Sequence, residues 1–194
     1  DIRFARPHEL LAYLALGMVV AIVGYIYVKV FYGMRDNVFA RMPIPAWTKP
    51  AVGGLLLALL AMAVPQVLGG GYGWLQLTLD EELPLKILLL LVPAKILATS
   101  FTISSGGSGG VFAPSLVIGG VTGAVFADLA QRVAPQFAPP TAACVLVGMG
   151  GFFAGVAKVP IASLIMVAEM SGSYGLLVPM MLVSSVAYLL MRGT

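Results

Sequence analysis

The chain has 194 residues, of which 60% are hydrophobic and only 10% charged, with a formal net charge of +3. Soluble domains are usually about 45–50% apolar and about 25% charged. The composition therefore excludes a soluble globular domain, a disordered chain and a disulfide-rich secreted module, and the mean hydropathy of +1.00 agrees. One cysteine and one histidine exclude a disulfide framework and a metal cluster. The small excess of basic residues does not indicate a nucleic-acid surface. The sequence predicts an integral membrane protein.

The apolar segments predict an all-α bundle of membrane helices. At roughly 20 residues per crossing, the chain allows about six to eight segments. Residues 10–30 predict a first span, with Lys29 placed so that its ammonium group reaches the interface. Residues 51–68 predict a second span that begins after Pro50. The 23 glycines and 13 prolines exceed what straight helices need. Such residues are tolerated in membranes where broken helices are buried in protein or line a cavity.

The later segments predict shorter and broken helices. Residues 83–104 are long enough to cross a membrane, but Pro93 in their middle predicts that the helix breaks or kinks there, which gives two shorter pieces. The apolar runs 142–157, 161–170 and 176–191 are each shorter than a full span. We therefore expect a multi-helix bundle with half-spanning helices that meet inside the membrane.

The most informative pattern is the glycine-serine stretch 104–110, followed by Val111, Phe112, Ala113 and Pro114. Pro114 suits the first turn of a helix, and the preceding glycines let the backbone turn sharply and expose its amides. A helix that begins there presents unpaired N–H groups and the positive end of its dipole, which together form an anion site. Because the stretch lacks Lys and Arg, partial charges would hold an anion weakly enough for it to leave. A flexible loop without a site is the alternative interpretation.

A second interpretation of the same stretch is catalytic. Residues 106–109 have the Gly-x-Ser-Gly form of intramembrane serine proteases of the rhomboid type, with Ser108 as the nucleophile. That chemistry needs a histidine base on a neighbouring helix. The single histidine, His8, precedes the first predicted span, which disfavours this hypothesis.

Two ionisable residues lie within apolar runs, namely Lys95 and Glu169. Ionisable groups at membrane depth are functional candidates, and they are usually paired or face water. We expect each of these residues to contact a polar partner. One candidate arrangement is that Lys95 and Glu169 pair with each other. Lys95 would also add positive potential near the anion site, while a purely structural or interfacial role for both is the alternative.

Residues 110–114 (GVFAP) resemble the Gly-x-Phe-x-Pro motif of the CLC family of chloride channels and chloride/proton antiporters. Residues 148–155 (GMGGFFAG) resemble the next helix of that family, and residues 160–179 resemble the pair that follows. The order and spacing agree across about residues 85–192. In that family each subunit is an inverted repeat of two membrane halves. The resemblance implies that residues 1–194 form a single membrane-domain fragment similar to the second repeat, with the first repeat and the final helix absent.

The resemblance also implies a function, which is anion transport, chiefly of chloride, across a bacterial inner membrane, either as a passive channel or in exchange for protons. It implies no enzyme activity and no cofactor, with chloride as the bound and transported ion. The anion site would comprise Gly110, Val111, Phe112, Ala113 and Pro114, and the backbone amides of Val111 and Phe112 would contribute to the central position.

The resemblance further implies partners, which are chloride, the lipid bilayer, the absent N-terminal half and a second copy bound through the two final helices. The family's first half supplies a Gly-Ser-Gly-Ile-Pro loop and a Gly-Lys-Glu-Gly-Pro loop with a gating glutamate, and neither occurs here. We therefore expect this fragment alone to be incomplete as a pathway. A non-conducting membrane module that dimerises is the alternative function.

Overall fold

The computed structural model describes residues 9–193, so His8 lies outside the described residues. Within that range the regular structure is helical throughout. The α-helices are α1 Glu9–Gly33, α2 Lys49–Ala63, α3 Tyr72–Leu79, α4 Leu85–Ser104, α5 Phe112–Val133, α6 Thr141–Ala157, α7 Pro160–Ser171 and α8 Leu177–Leu190. Short helical turns at Met34–Phe39, Ala46–Thr48, Pro65–Val67 and Tyr174–Leu176 extend or join them. The prediction of an all-α bundle is confirmed.

Four helical segments of the described chain are long and apolar enough to cross a bilayer. They are Glu9–Phe39, Ala46–Ala63, Leu85–Ser104 and Phe112–Val133. Three shorter apolar helices follow, and they are Thr141–Ala157, Pro160–Ser171 and Tyr174–Leu190. The predicted change from full-length to shorter helices along the chain is thus present, and it falls after α5.

The predicted break at Pro93 is wrong, because α4 runs without interruption from Leu85 to Ser104 with Pro93 inside it. A proline in a helix removes one backbone hydrogen bond and crowds the preceding turn, and this breaks the helix unless packing compensates for the cost. Here most of the helix after Pro93 is buried, including Ala94, Lys95 and Ile96. Tertiary packing on both sides of the proline therefore outweighs the lost bond.

Helix α3 is an element that the sequence did not predict. Its eight residues follow the glycine run at 69–71, where Gly69 and Gly71 adopt positive φ angles of 65° and 85°. Gly71 serves as the N-cap in the left-handed conformation that favours glycine. The short helix then packs against α5 and α6. The predicted second span is shorter than expected, because α2 ends at Ala63 and a separate turn covers Pro65–Val67.

The centre of the bundle is the pair α5 and α6, which make the most extensive helix contact, with α1 and α8 packed around them. Glycines allow this pair to approach closely. A Cβ added at Gly119 would lie 2.5 Å from the Gly148 carbonyl oxygen, and one added at Gly123 would lie 2.1 Å from the Cys144 carbonyl oxygen. Small residues at helix contacts are the usual means of close packing in membranes. Helix α5 is thereby fixed in the core while its N-terminus projects toward the loop after α4.

Candidate functional site

The loop that precedes α5 begins with a hydrogen-bonded turn that ends α4. The N–H of Gly107 donates to the Thr102 carbonyl at 3.1 Å and that of Gly106 to the Ile103 carbonyl at 3.0 Å. Gly106 has a φ of 88°. These two bonds around a left-handed glycine form a Schellman motif, which satisfies the last carbonyls of a helix and stops it. Glycine is therefore required at position 106 to turn the chain toward α5.

The N-terminus of α5 carries the predicted site, and its amides are unpaired. The first backbone bond of this helix runs from the Ser115 N–H to the Val111 carbonyl at 3.1 Å. Val111 is the N-cap and provides no side-chain cap. The N–H groups of Gly110, Val111, Phe112 and Ala113 accordingly have no hydrogen-bond partner within residues 9–193. Pro114 lies in the first turn, as predicted, and has no N–H to satisfy.

A cavity of about 320 Å³ adjoins one side of this helix start. Its lining includes Gly109, Gly110, Ala113 and Pro114 from the motif and its preceding loop, and Lys95 from α4 is the one charged side chain that lines it in the described structure. Two threonine hydroxyls on α4 also line it, but each donates to a carbonyl four residues earlier in its own helix. The electrostatic character of the cavity is therefore positive, from one ammonium group and the nearby helix terminus.

Lys95 is 2% exposed, and its position is set by backbone carbonyls. Its Nζ donates to the Val67 carbonyl at 2.9 Å and to the Gly69 carbonyl at 2.8 Å, both in the segment between α2 and α3. An ammonium group has three N–H donors, so two neutral carbonyls leave its charge uncompensated. No acidic side chain of the described chain pairs with it. Lys95 thus brings a buried positive charge beside the motif.

The other side of the helix start is aromatic. Phe112 packs edge-to-face on Phe153 of α6 with ring centroids 5.0 Å apart. A second cavity of about 200 Å³ has Val111, Ser115, Phe153 and Tyr27 in its lining. The Tyr27 hydroxyl is buried near the Ser115 side chain, whose own hydroxyl donates to the Val111 carbonyl, and it meets the geometry of a hydrogen bond with none of the described residues. Sequence reasoning missed Tyr27, because a tyrosine on an apolar helix gives no signal of where its hydroxyl lies.

Two other sequence candidates do not have the partners that their proposed roles require. Glu169 is exposed near the end of α7, where its Oε1 accepts a hydrogen bond of 2.8 Å from the Tyr174 hydroxyl. It does not pair with Lys95, because the two residues are held by different partners. Ser108 is exposed, and its hydroxyl has no hydrogen-bond partner among residues 9–193. A nucleophilic serine needs an adjacent base, and the described chain provides none in contact with Ser108.

The fold is that of solved anion/proton antiporters. The crystal structure of a slow cyanobacterial Cl−/H+ antiporter superposes with a TM-score of 0.86 at 22% identity, covering 99% of this chain and 45% of that one. The crystal structure of a CLC-type fluoride/proton antiporter superposes with a TM-score of 0.79 at 24% identity, covering 97% of this chain and 47% of that one. At these identities the likeness defines the fold alone.

The sequence defines the family. Residues 3–192 match the family described as voltage gated chloride channel, and the chain belongs to that family, as its resemblance to CLC proteins predicted. A ClcB-like chloride channel protein of Ralstonia nicotianae is 31% identical over 201 residues, covering 98% of this chain and 46% of the relative. The H(+)/Cl(−) exchange transporter ClcA of Cronobacter sakazakii is 32% identical over 183 residues, covering 92% of this chain and 39% of the relative. The chain thus spans less than half the length of each relative. Its relatives are membrane transport proteins, and it is an integral membrane protein.

Proposed function

We propose that the protein to which this chain contributes transports chloride across a membrane, and that the start of α5 binds the ion. The observation that carries this proposal is the set of unpaired amides from Gly110 to Ala113 at the N-terminus of a 22-residue apolar helix. Unpaired N–H groups and the helix dipole favour an anion at this end. A low-dielectric surrounding strengthens that attraction relative to water.

The balance of charges at this helix start suits transport better than permanent binding. The amides carry only partial charges, and the ammonium group of Lys95 donates to the carbonyls of Val67 and Gly69 and to none of the motif residues. A pathway needs sites that attract an ion yet release it. We infer that Lys95 raises the local concentration of anions as electrostatic support, while the unpaired amides from Gly110 to Ala113, with those of Val111 and Phe112 at the centre, make the direct contacts.

The organisation of the whole protein is part of the same proposal. The chain corresponds to one membrane domain, 1–194, similar to a second repeat, and a first repeat would complete the pathway. The outward faces of α7 and α8 support a homodimer, since they leave large apolar side chains exposed, including Ile161, Ile165, Val178 and Met181. Continuous apolar faces of this kind are covered either by lipid or by a partner. The bacterial relatives favour the inner membrane as the location.

The sharpest test removes one amide and leaves the helix in place. Proline is tolerated in the first turn of a helix because its missing N–H is unpaired there anyway. We expect Ala113→Pro to weaken chloride binding by about 10- to 100-fold, the range for a hydrogen bond to a charged group. Binding is measured by calorimetry on the full-length protein, and chloride efflux is measured from liposomes.

The matched control is Ala113→Val, which adds bulk at the same position but keeps the N–H. If the proposal is correct, this variant binds chloride much more tightly than Ala113→Pro. Equal affinity in the proline variant and the parent protein, with both folded, would show that the α5 amides do not hold the ion.

A further inference from the structure

Helix α1 carries an exposed apolar stripe along most of its length. Leu11, Met18, Ile22 and Ile26 recur at helical spacing, and each is exposed in the described structure. At a rise of about 1.5 Å per residue, the axis from Leu11 to Lys29 is about 27 Å long. That length matches the hydrocarbon core of a bilayer, which is about 30 Å thick. The stripe therefore has the length of both leaflets together, and its half nearest Lys29 has the length of the acyl chains of one leaflet.

The stripe ends in a cluster of aromatic and basic side chains. Lys29 Nζ lies 5.9 Å from the centre of the Tyr25 ring, and the Arg35 guanidinium lies 4.5 Å from the centre of the Tyr32 ring. Tyrosines at this level mark the membrane interface, and a lysine beside them extends its ammonium group toward the headgroups. Lys29 makes no hydrogen bond or ion pair with any other residue of the range 9–193, so its three donors are available.

A groove of about 440 Å³ lies at the same place, lined by Tyr25, Lys29 and Tyr32 on α1 and by Asp36, Asn37 and Gly193. Its one acidic group is already neutralised, because Arg35 Nε donates to Asp36 Oδ1 at 2.8 Å. The net charge that the groove presents is therefore positive and comes from Lys29. The amide of Asn37 adds a second donor to the lining.

We propose that this groove binds the phosphodiester of a membrane phospholipid, with an acyl chain along Met18, Ile22 and Ile26. Charge complementarity selects the phosphate, since Lys29 is the uncompensated cation of the groove. The apolar stripe selects a lipid over free phosphate, because it continues directly from the groove across one membrane thickness. The groove shares Val28 and Tyr32 with the cavity beside Val111 at the start of α5, but its ligand is a lipid headgroup, and neither proposal requires the other.

The test is native mass spectrometry of the delipidated full-length protein with added dioleoyl phosphatidylglycerol. We expect Lys29→Gln to weaken binding of the lipid by about five-fold, which is the effect of one basic residue on an anionic lipid. The control Arg41→Gln removes the same charge from an exposed position outside the groove, and we expect a change below about two-fold there. Equal loss in both variants would mean diffuse attraction only, and no loss in Lys29→Gln would also overturn the proposal.

A second measurement identifies the occupant. Phosphatidylglycerol with a photoreactive acyl chain should label the peptide that contains Met18, Ile22 and Ile26, and Lys29→Gln should lower that labelling. Excess glycerol phosphate should not displace the lipid. Displacement by glycerol phosphate would assign the groove to a free phosphate ester, and labelling confined to other helices would mean that a polypeptide or another part of the protein covers this stripe.

Discussion

Two glycine-rich regions of this chain use the same residue type in opposite ways. Between α5 and α6, a Cβ on Gly119, Gly123 or Gly148 would come within 2.1–2.5 Å of a backbone oxygen on the facing helix. In the loop before α5, Gly107 and Gly109 pack against the end of α4, whereas a Cβ on Gly106 or Gly110 would meet nothing within 4 Å. In the first region glycine lets two helices touch, and in the second the glycine next to α5, Gly110, leaves the backbone uncovered.

The difference has a functional consequence, because the two regions are joined by a single helix. The tight α5–α6 contact fixes the axis of α5, and the open loop leaves the amides at its N-terminus unpaired. A helix terminus stabilises an ion best when it is held rigidly in position before the ion arrives. Close packing along the middle of α5 and exposed amides at its N-terminus therefore serve the same function.

The largest effect, a loss of folding stability, is expected from Gly123→Val. The added side chain would collide with the Cys144 backbone, which cannot move without separating α5 from α6. Overpacking of this kind costs about 3 kcal/mol or more where the backbone cannot yield. Thermal unfolding and size-exclusion profiles in detergent provide the measurement. The matched control is Gly54→Val on α2, where a Cβ meets nothing within 4 Å, and similar melting of both variants would contradict the packing role.

The next effect is expected from Lys95→Met, which keeps an unbranched side chain one atom shorter and removes its charge. The buried carbonyls of Val67 and Gly69 lose their donor, so stability should fall by about 1–3 kcal/mol. Chloride affinity should fall as well, because the cavity loses its cation. Lys86→Met, at an exposed position in the first turn of α4, should change neither quantity. A loss of stability without a loss of affinity would reduce Lys95 to a structural role.

A smaller effect, on chloride affinity alone, is expected from Gly110→Val. This variant changes the loop before α5 and leaves the α5–α6 contact intact. Space is free around this residue and its φ is not in the left-handed region, so the protein should fold and melt like its parent. The new side chain would cover part of the unpaired amides and lower chloride affinity, though less than Ala113→Pro does. Gly73→Val, equally unhindered but on α3, is the control. Unchanged affinity in Gly110→Val would move the site elsewhere.

The smallest effect is expected from Ser108→Ala. Its hydroxyl is exposed and makes no hydrogen bond within the described chain, so stability should stay within about 0.5 kcal/mol. Chloride affinity should not change, because the backbone N–H groups remain. A fluorophosphonate probe should leave Ser108 unlabelled, whereas labelling would revive the protease hypothesis.

The helix boundaries show which parts of the fold can be predicted from the local sequence. The start of α5 follows from Pro114 and the glycines before it, and the apolar lengths of α1 and α4 follow from composition. The continuity of α4 through Pro93 did not follow, because the balance between one lost hydrogen bond and the packing of a whole helix depends on its neighbours. Helix α3 was missed for a similar reason, since its eight residues are too short to be stable without α5 and α6.

The sequence alone determined the membrane class, the helical architecture and the position of the motif, because hydropathy, proline and glycine act over a few residues. The sequence also named Lys95 as a candidate near that motif, but only the tertiary structure decided what holds Lys95 there and which groups it contacts. Lys95 lies 15 residues before Gly110 in the sequence. It reaches the cavity because the carbonyls of Val67 and Gly69 hold it there. Its pairing with these carbonyls, and not with Glu169, depends on how α4 packs against the segment after α2, and no local pattern encodes that contact.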